Sequence, residues 1–257
     1  MDHQPLLRVR DVTVRFSGIV ALDRVSFDVD RGQICGLIGP NGAGKTTLFN
    51  CLSRLYSPDD GDIRFNGRRL RDVPRHRIAA LGIGRTFQNL ALFHTMSARR
   101  NILVGAHSRT RAGFLSDSLR LPFVRAEEKR LAAEVETLIA MLDLEAAADM
   151  AVDELPFGLK KRVELARALA SKPTMLLLDE PAGGLNHDEV DALGALIVRI
   201  RDRLGLTILL VEHHMNLVMR ISDKVVAFDF GRKIAEGRPA EVQANPDVIR
   251  AYLGIAA

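Results

Sequence analysis

The chain has 257 residues, of which 47% are hydrophobic and 26% charged, and its formal net charge is +4. This composition excludes an intrinsically disordered protein and provides enough apolar residues for a substantial core. No apolar run approaches the roughly 18 residues that a membrane helix needs, and the N-terminus lacks the apolar core of a secretory signal. We therefore expect an intracellular protein.

Two basic segments stand out. Residues 64–77 contain six arginines and one aspartate, and residues 99–130 contain eight Lys or Arg against three Asp or Glu. We expect no nucleic-acid partner, because no aromatic side chains are interleaved with these charges for base stacking. A solvated surface is the ordinary interpretation, and a surface near anionic lipid headgroups is the alternative. Cys35 and Cys51 lack metal-ligand spacing and are predicted to be small core residues.

The first predicted elements are antiparallel strands. LRVRDVTVRF and RVSFDVD both alternate apolar and polar residues, and a turn follows at Asp30-Arg31-Gly32. QICGLIG is almost wholly apolar, which suits a strand buried on both faces. It leads into a glycine-rich loop and then a helix predicted over TTLFNCLSRL. A further hairpin is predicted around DIRFNG.

The next region, from about Asn89 to Lys160, has helical patterning and little strand. One apolar stripe consists of Leu131, Val135, Leu138 and Leu142. Strands resume at TMLLLDE and TILLVEHH, and between them lies a helix capped by Asn186 with Glu189 as capping-box partner. Its predicted buried stripe consists of Val190, Leu193, Ile197, Ile200 and Leu204. The chain closes with a hairpin over KVVAFDFGRKIAEG and a short helix ending at YLG.

The segment after the QICGLIG strand fits the phosphate-binding pattern GxxxxGK[ST]. Its glycines allow backbone N–H groups to wrap a phosphate, and the following helix adds its positive end. Lys45 would reach the β- and γ-phosphates, and the Thr46 hydroxyl would ligate Mg²⁺. A chance glycine-rich turn would not both follow an apolar strand and open a helix. The predicted phosphate-binding residues are Gly39, Asn41, Gly42, Ala43, Gly44, Lys45, Thr46 and Thr47.

TMLLLDE supplies the second half of the predicted site. Asp179 ends a buried strand, and its carboxylate can hold the Mg²⁺ shell. Glu180 comes next and can orient and deprotonate an attacking water. Alone, an apolar run followed by Asp-Glu is usually only a strand end, but behind a phosphate loop it indicates an ATP- and Mg²⁺-dependent enzyme.

Taken together, these motifs resemble the ATP-binding subunit of an ABC transporter over essentially all 257 residues. The resemblance implies that Gln88 in GRTFQN is the Q-loop glutamine, which contacts Mg²⁺ and the attacking water. It implies that His213, directly after the glutamate of LLVEHH, is the switch histidine near the γ-phosphate. Phe16, with Val20, matches the position of the ring that stacks on adenine, although Phe16 is equally compatible with a core position.

The fold that we predict is α/β: a P-loop NTPase core with a mainly parallel sheet and flanking helices, an antiparallel β layer and an inserted helical subdomain. It forms a single nucleotide-binding domain over 1–257. Residues 1–88 and 161–257 are assigned to the ATP-binding core with the antiparallel layer. Residues 89–160 are assigned to the helical subdomain, which includes the signature motif and is expected to dock a membrane subunit.

Four further segments resemble the ATPase of branched-chain amino-acid importers: FNCLSRLYSPDDGDIRFNG, GIGRTFQNLALF, VEHHMNLVMRISDKV and NPDVIRAYLG. The resemblance implies an ATP-hydrolysing subunit that energises an importer of branched-chain amino acids or similar small solutes. Its implied partners are two transmembrane permease subunits, a second ATPase subunit in a homo- or heterodimer, and an extracytoplasmic solute-binding protein. The subunit would lie peripherally on the inner face of the cell membrane.

Three alternatives remain open at this point. One is the ATPase of a lipid or polysaccharide exporter, and another is a soluble ABC ATPase acting on DNA or ribosomes. The latter class usually carries a long coiled-coil insertion or two fused nucleotide domains, and this chain has neither. The third is a nucleotide-binding regulator that does not hydrolyse ATP. It is disfavoured because Lys45, Asp179, Glu180 and His213 are all present.

The signature motif of the family, usually LSGGQ, reads Leu155-Pro156-Phe157-Gly158-Leu159 here. In ABC proteins the signature of one subunit closes over the ATP that the other holds. Pro156 brings neither the usual serine hydroxyl nor an N–H, but proline suits the first helical turn, and the backbone N–H groups of residues 157–159 remain. A hydrogen bond to a charged group is worth roughly 1.5–3 kcal/mol, so we expect a weakened site, not an inactive one. The alternative is an ordinary helix start with no nucleotide role.

The D-loop of the family, usually SALD, is a second departure. It reads Gly183-Gly184-Leu185-Asn186, so its acidic end is replaced by an amide. We expect this replacement to weaken communication between paired ATP sites.

Overall fold

Two β-sheets organise the residues that the computed structural model describes, which are 4–87, 90–109 and 122–253. The strands are β1 Leu7–Phe16, β2 Ile19–Val29, β3 Ile34–Ile38, β4 Asp60–Phe65, β5 Arg68–Arg69, β6 Ile83–Arg85, β7 Met175–Asp179, β8 Thr207–Val211, β9 Lys224–Asp229 and β10 Arg232–Gly237. The smaller sheet is antiparallel with the order β2-β1-β4-β5. The larger has the order β10-β9-β3-β8-β7-β6 and is parallel except for the β9–β10 hairpin. The predicted α/β fold with an antiparallel layer is confirmed.

Helices flank the larger sheet and occupy most of the region between β6 and β7. They are α1 Lys45–Leu52, α2 Ile78–Leu81, α3 Ala98–Gly105, α4 Pro122–Met141, α5 Phe157–Ala170, α6 His187–Leu204, α7 Met215–Ile221, α8 Pro239–Gln243 and α9 Pro246–Leu253. Within the described residues, no helix is long and apolar enough to span a bilayer. Helix α1 ends three residues earlier than the expected TTLFNCLSRL helix. The reason is a tight turn in which Arg54 adopts a left-handed φ of 58°.

Strict alternation along the buried strands separates two apolar cores. Residues with side chains on one face of the larger sheet pack against α4 to α7, and examples are Ile34, Leu176, Leu178 and Leu210. Their neighbours in sequence pack against α1 and the antiparallel sheet, and examples are Leu37, Leu177, Leu209 and Val211. Both faces are therefore covered, as is usual for a parallel sheet. Burial raises the pKa of Cys35 and of Cys51 to about 12, which confirms both as core residues.

The antiparallel sheet is shaped by a bulge and a tight turn. Asp11 has a φ of 48° where the β1–β2 register shifts, and this extra residue moves the buried positions from Val9 to Val12. The β4–β5 turn, Asn66-Gly67, has positive φ at both residues, which matches the right-handed twist of a two-residue hairpin.

The region between β6 and β7 folds back on the larger core. The predicted stripe of Leu131, Val135, Leu138 and Leu142 is buried. Helices α3 and α5 approach so closely at Gly105 that a Cβ there would collide with the carbonyl oxygen of Arg167. A single isolated β-bridge, Ser97 with Ala151, lies outside the named strands of the described residues. The assignment of 89–160 to a separate subdomain stays a prediction.

The predicted cap of helix α6 is confirmed. Asn186 accepts a bond from the Glu189 N–H at 3.0 Å, and the Glu189 carboxylate accepts one from the Asn186 N–H at 2.9 Å. The prediction that Leu204 belongs to the buried stripe is wrong, because its side chain is 43% exposed. Leu204 is the last helical residue before Gly205, so its side chain lies past the edge of the core.

Candidate active site

The carboxyl ends of β3, β7 and β8 meet at one edge of the larger sheet. Leu37 pairs with Val211, and Val211 pairs with Asp179. The glycine-rich loop follows β3, Glu180 follows β7, and His213 follows β8. Parallel pairing therefore brings three segments that are distant in sequence to the same edge, where ligands of open α/β sheets usually bind.

Glycines fix the path of the loop at two close approaches. Gly39 has a φ of 149°, and a Cβ on it would collide with the carbonyl oxygen of Phe228. Gly44 has a φ of 99°, and a Cβ on it would lie 2.6 Å from the carbonyl oxygen of Ala21 in the β1–β2 hairpin. Among the other predicted phosphate-binding residues, three are exposed: Asn41, Gly42 and Thr46. Thr47 is half-buried and Ala43 is buried.

Lys45 is buried at the base of this loop, where its exposed fraction is 6%. Its Nζ donates to the carbonyl oxygens of Gly39 at 2.6 Å and Pro40 at 2.8 Å. Burial lowers the pKa of Lys45, and the charges of Glu180 and Asp179 oppose that shift. The ammonium group is thus a partly desolvated cation held by neutral acceptors, an arrangement suited to receiving an anion.

Asp179 forms a buried ion pair that the sequence analysis missed. Arg85, the last residue of β6, donates from Nη2 to Asp179 Oδ2 at 2.8 Å. Its Nη1 donates to the side chains of Asn50 and Ser53 on the α1 side, each at 2.9 Å. The guanidinium group also lies 5.1 Å from the ring centroid of Phe87. The contact depends on the pairing of β6 with β7, which places Arg85 one strand away from Asp179.

Glu180 and His213 form the contact with the clearest chemical consequence. The Nε2 atom of His213 lies 2.7 Å from Glu180 Oε1, which fits a ring N–H donating to the carboxylate. Glu180 has a φ of 49°, a strained conformation for a residue other than glycine. The strain and the contact together fix a carboxylate at the sheet edge, where it can accept a proton from water.

Glu212 is the second residue that the sequence analysis missed. It is 1% exposed, and its carboxylate accepts three backbone N–H groups. The donors are Ala182 N at 2.6 Å, His213 N at 2.9 Å and His214 N at 3.2 Å. One buried side chain therefore joins the segment after β7 to the segment after β8, and it holds the backbones that carry Glu180 and His213. An acidic residue at the end of an apolar strand was the available signal.

The adenine candidates lie on the β1–β2 hairpin. Phe16 and Val20 are both exposed, which excludes the core position for Phe16. The Phe16 ring meets Tyr56 edge-on with centroids 5.1 Å apart. Because the same hairpin contacts Gly44, it presents an exposed aromatic ring and an apolar side chain beside the loop.

The predicted signature forms the start of helix α5. Leu155 is buried, and Pro156 is the N-cap residue, not part of the first turn, because the helix begins at Phe157. The Phe157 ring packs against Gly184: a Cβ on Gly184 would lie only 2.9 Å from the nearest ring carbon. The Nζ atom of Lys161 lies over the same ring, 5.5 Å from its centroid.

The next signature residue, Gly158, also lies close to the D-loop and to helix α6. A Cβ on Gly158 would lie 3.9 Å from Leu185 of the D-loop and 3.0 Å from Glu189 Oε1 of the helix. The two departures from the family pattern, in the signature and in the D-loop, are therefore in direct contact.

The donors available to a divalent cation are few. In the described part of the chain, no group of three or more His, Cys, Asp or Glu side chains is placed to hold a metal ion. The Asp179 carboxylate and the exposed Thr46 hydroxyl are hard oxygen donors at the loop edge, which suits Mg²⁺ because this ion takes few protein ligands and keeps waters and phosphate oxygens. The third predicted ligand, Gln88, lies outside the described residues.

Comparison with known proteins gives consistent matches. A family model described as ABC transporter matches residues 22–183, and one described as Branched-chain amino acid ATP-binding cassette transporter matches residues 232–257. The high-affinity branched-chain amino acid transport ATP-binding protein BraF of Pseudomonas aeruginosa is 42% identical over 251 residues, covering 98% of both chains. The corresponding LivG protein of Escherichia coli is 41% identical with the same coverage.

Solved structures agree with these matches. A nucleotide-free ATP-binding cassette from an ABC transporter superposes with a TM-score of 0.84 at 28% identity, covering 99% of this chain and 100% of that one. An ATP-binding cassette of an ABC transporter in its ADP conformation superposes with a TM-score of 0.85 at 28% identity, covering 98% and 100%.

Glu212→Gln tests the bridging role of the buried carboxylate. The substitution keeps the side-chain length but replaces one acceptor oxygen with an NH₂ group that faces backbone donors. We expect the free energy of unfolding to fall by about 1–3 kcal/mol, the usual cost of leaving a buried polar group unsatisfied. Glu189→Gln is the matched control, because glutamine also completes a capping box, and we expect about 0.5 kcal/mol or less. Chemical denaturation measures both, and an unchanged midpoint for Glu212→Gln would contradict the bridging role.

Proposed function

We propose, because this chain belongs to the ABC transporter family of ATP-binding proteins, that it is the ATP-hydrolysing subunit of an importer for branched-chain amino acids or similar small solutes. The observation that carries hydrolysis is the 2.7 Å contact between Glu180 and His213 at the same sheet edge as the Lys45 loop. The solute class is supported by 42% identity to BraF along almost the whole chain.

The phosphates of ATP would lie in the loop from Gly39 to Thr47. Lys45 gives up its bonds to the Gly39 and Pro40 carbonyl oxygens and donates to the β- and γ-phosphates instead. A phosphate anion is the better acceptor for a desolvated ammonium group, so this exchange favours binding. Phe16 and Val20 then offer an apolar surface to the adenine ring, beside Gly44.

Hydrolysis is assigned to the residues after β7 and β8. Glu180 accepts the proton of the attacking water, and His213 holds the Glu180 carboxylate in place. Asp179 and Thr46 would hold Mg²⁺, with Gln88 as the third proposed ligand. When bound, this ion neutralises charge that develops on the transferred phosphoryl group. Arg85 keeps the Asp179 carboxylate oriented and partly neutralises its negative charge.

The signature would act on a second ATPase subunit, in a dimer in which each ATP lies between two chains. Helix α5 would present the backbone N–H groups of Phe157, Gly158 and Leu159, together with its positive end, to the γ-phosphate of the partner's ATP. The D-loop residues Gly184, Leu185 and Asn186 would enter the same interface. Because Phe157 packs on Gly184, the two segments would approach the partner as one unit.

A groove of about 380 Å³ between α2 and β6 on one side and α3 and α5 on the other is the proposed docking site for a permease subunit. Leu55, Phe87 and Val104 line it and are exposed, Phe87 by 41%, which is unusual for large apolar residues that lie together. An amphipathic cytoplasmic loop of a permease, with apolar residues for the groove, fits this lining. The chain would then lie on the cytoplasmic face of the membrane, with a solute-binding protein on the opposite side.

The docking groove communicates with the catalytic site through two described contacts. Arg85 lines the groove and reaches Asp179 at 2.8 Å. The Phe87 N–H donates at 3.0 Å to Glu164 of helix α5, a carboxylate whose pKa is raised by burial. An occupant that displaces Phe87 would therefore shift both α5, which carries the signature at its start, and the side chain that holds Asp179.

Lys45→Ala and Glu180→Gln test the assigned chemistry. Lys45→Ala should abolish ATP binding, because the loop loses its phosphate-reaching cation. Glu180→Gln should bind ATP with near-normal affinity and hydrolyse it at least about 100-fold more slowly, in the range expected for loss of a general base. ATP binding and phosphate release in the assembled transporter measure the two effects. Wild-type turnover by the Glu180→Gln complex would contradict the assignment of Glu180.

Cysteine cross-linking tests the docking groove. Cys35 and Cys51 are buried and have raised pKa values, so a cysteine introduced at exposed Val104 should dominate the reaction with a bifunctional thiol reagent. We expect Val104→Cys to cross-link to cysteines placed in a cytoplasmic loop of the permease. Ile249→Cys on helix α9 is the control, because it is equally exposed but lies outside the groove. Cross-links from Ile249→Cys alone would contradict the proposed docking surface.

The double substitution Pro156→Ser with Phe157→Gly tests the weakened signature. It restores the hydroxyl of the family motif and removes the ring from Gly184. Turnover in the intact transporter should therefore rise at least about 10-fold, the lower end of the range for one hydrogen bond to a charged group. Pro156→Ala with Phe157→Gly is the matched control, since it lacks only the hydroxyl. Unchanged ATPase activity in both, with helix α5 still folded by circular dichroism, would mean that the proline-containing signature is fully competent.

A further inference from the structure

The segment NPDVIRAYLG contains a tyrosine that touches the phosphate loop. The phenol oxygen of Tyr252, on helix α9, accepts a hydrogen bond from the Gly39 N–H at 2.8 Å. The two residues are 213 positions apart in the sequence. The chemistry proposed above makes no use of this contact, although Gly39 is the first residue of the loop.

Gly39 is held by several independent contacts at this point. Its N–H donates to Tyr252, and its carbonyl oxygen accepts from Lys45 Nζ at 2.6 Å. The carbonyl oxygen of Phe228 occupies the space that a Cβ would need, and the φ of 149° belongs to a region that favours glycine. Its N–H is already used, so Gly39 would contribute to phosphate binding by holding the loop, not by contacting the anion.

Helix α9 is fixed well enough to place the phenol. Val248 is buried in the core that covers one face of the larger sheet, and the Asn245 side chain accepts the N–H groups of Asp247 at 2.8 Å and Val248 at 3.4 Å. Tyr252 is 41% exposed; its partial burial raises its pKa, and the hydrogen bond from Gly39 opposes that shift. The hydroxyl group therefore stays neutral at physiological pH and acts as an acceptor for the loop.

We propose that Tyr252 is a positioning residue for nucleotide binding, which couples the docking of helix α9 to the occupancy of the phosphate loop. The proposal rests on the nucleotide site assigned above. Tyr252 fixes the first residue of the loop through its N–H, a contact that does not involve the carbonyl oxygen that Lys45 leaves for phosphate. Less of the loop then has to be ordered when nucleotide binds. Because coupling between two equilibria is reciprocal, bound nucleotide in turn stabilises the docked position of α9.

Tyr252→Phe removes only the hydroxyl group and tests the first half of the proposal. In the full-length chain we expect the Kd for Mg-ATP to rise about 3- to 10-fold, the range equivalent to one neutral hydrogen bond. In the assembled transporter we expect KM to rise by a similar factor and kcat to change less than about 2-fold, because the reacting atoms are untouched. Ile249→Ala, an exposed position on the same helix, is the control and should leave Kd unchanged.

Three results of this experiment would overturn the proposal. They are an unchanged Kd in Tyr252→Phe, a loss of kcat without a change in KM, and an equal rise in Kd for Ile249→Ala. If the wild-type chain itself binds no Mg-ATP, it is the proposed function that fails, so the two failures are distinguishable.

Hydrogen exchange of the wild-type chain tests the reciprocal half without any variant. Addition of saturating Mg-ADP should slow exchange of the α9 amides as well as those of the loop. Unchanged exchange in α9 while the loop becomes protected would rule out the coupling. This measurement also keeps the proposal open to disproof if Tyr252→Phe folds poorly.

Discussion

The parallel register of β3, β8 and β7 is the constraint on which the site depends. These strands are buried on both faces, so every second side chain enters one core and the rest enter the other. A slip by one residue would exchange the two sets and draw a flanking polar residue, such as Gln33 or Glu180, into a buried row. The apolar cores therefore fix which residue is last on each strand. Asp179 ends β7 and Val211 ends β8 in the same row, and the catalytic candidates follow directly.

Charge is the second constraint at this edge, because several ionised groups lie out of water. Isolated, each would cost several kcal/mol, and the structure avoids this by partnering them. Arg85 meets Asp179, the Glu212 carboxylate takes three backbone N–H groups, and Lys45 is held by two carbonyl oxygens. Lys45 is the cation of this set whose hydrogen-bond partners are all neutral, whereas the cation Arg85 faces a carboxylate. An anionic ligand would therefore improve the environment of Lys45 in particular.

Much of the fold and of the site could be predicted from the sequence because the signals are local. Apolar runs predict the buried strands, a phosphate loop between strand and helix predicts α1, and the pair Asn186 and Glu189 predicts the start of α6. The exposed Leu204 and the early end of α1 were mispredicted at helix ends, where periodicity continues but the core does not.

The contacts that could not be predicted join residues far apart in the chain. Arg85 and Asp179 are separated by 94 positions, Ala182 and Glu212 by 30, and Gly39 and Tyr252 by 213. No local sequence pattern identifies the partner in these contacts, since each depends on which strands pair and where a helix docks. The contact between Phe157 and Gly184 belongs to the same class: each is a departure from a motif when considered alone. In the structure one explains the other, because the absence of a side chain at Gly184 makes room for the ring.

These distant contacts share an arrangement that bears on how the subunit works. Three of them reach different surfaces: Arg85 the proposed docking groove, Phe157 and Gly184 the proposed dimer face, and Tyr252 the C-terminal helix. A side chain that bridges two elements couples the movement of one element to that of the other. A displacement at the groove or of helix α9 would therefore reach the sheet edge through a single side chain, Arg85 or Tyr252. Conversely, the proposed exchange of Lys45 from carbonyl oxygens to phosphate would alter Gly39 first, and Gly39 is the residue that Tyr252 holds.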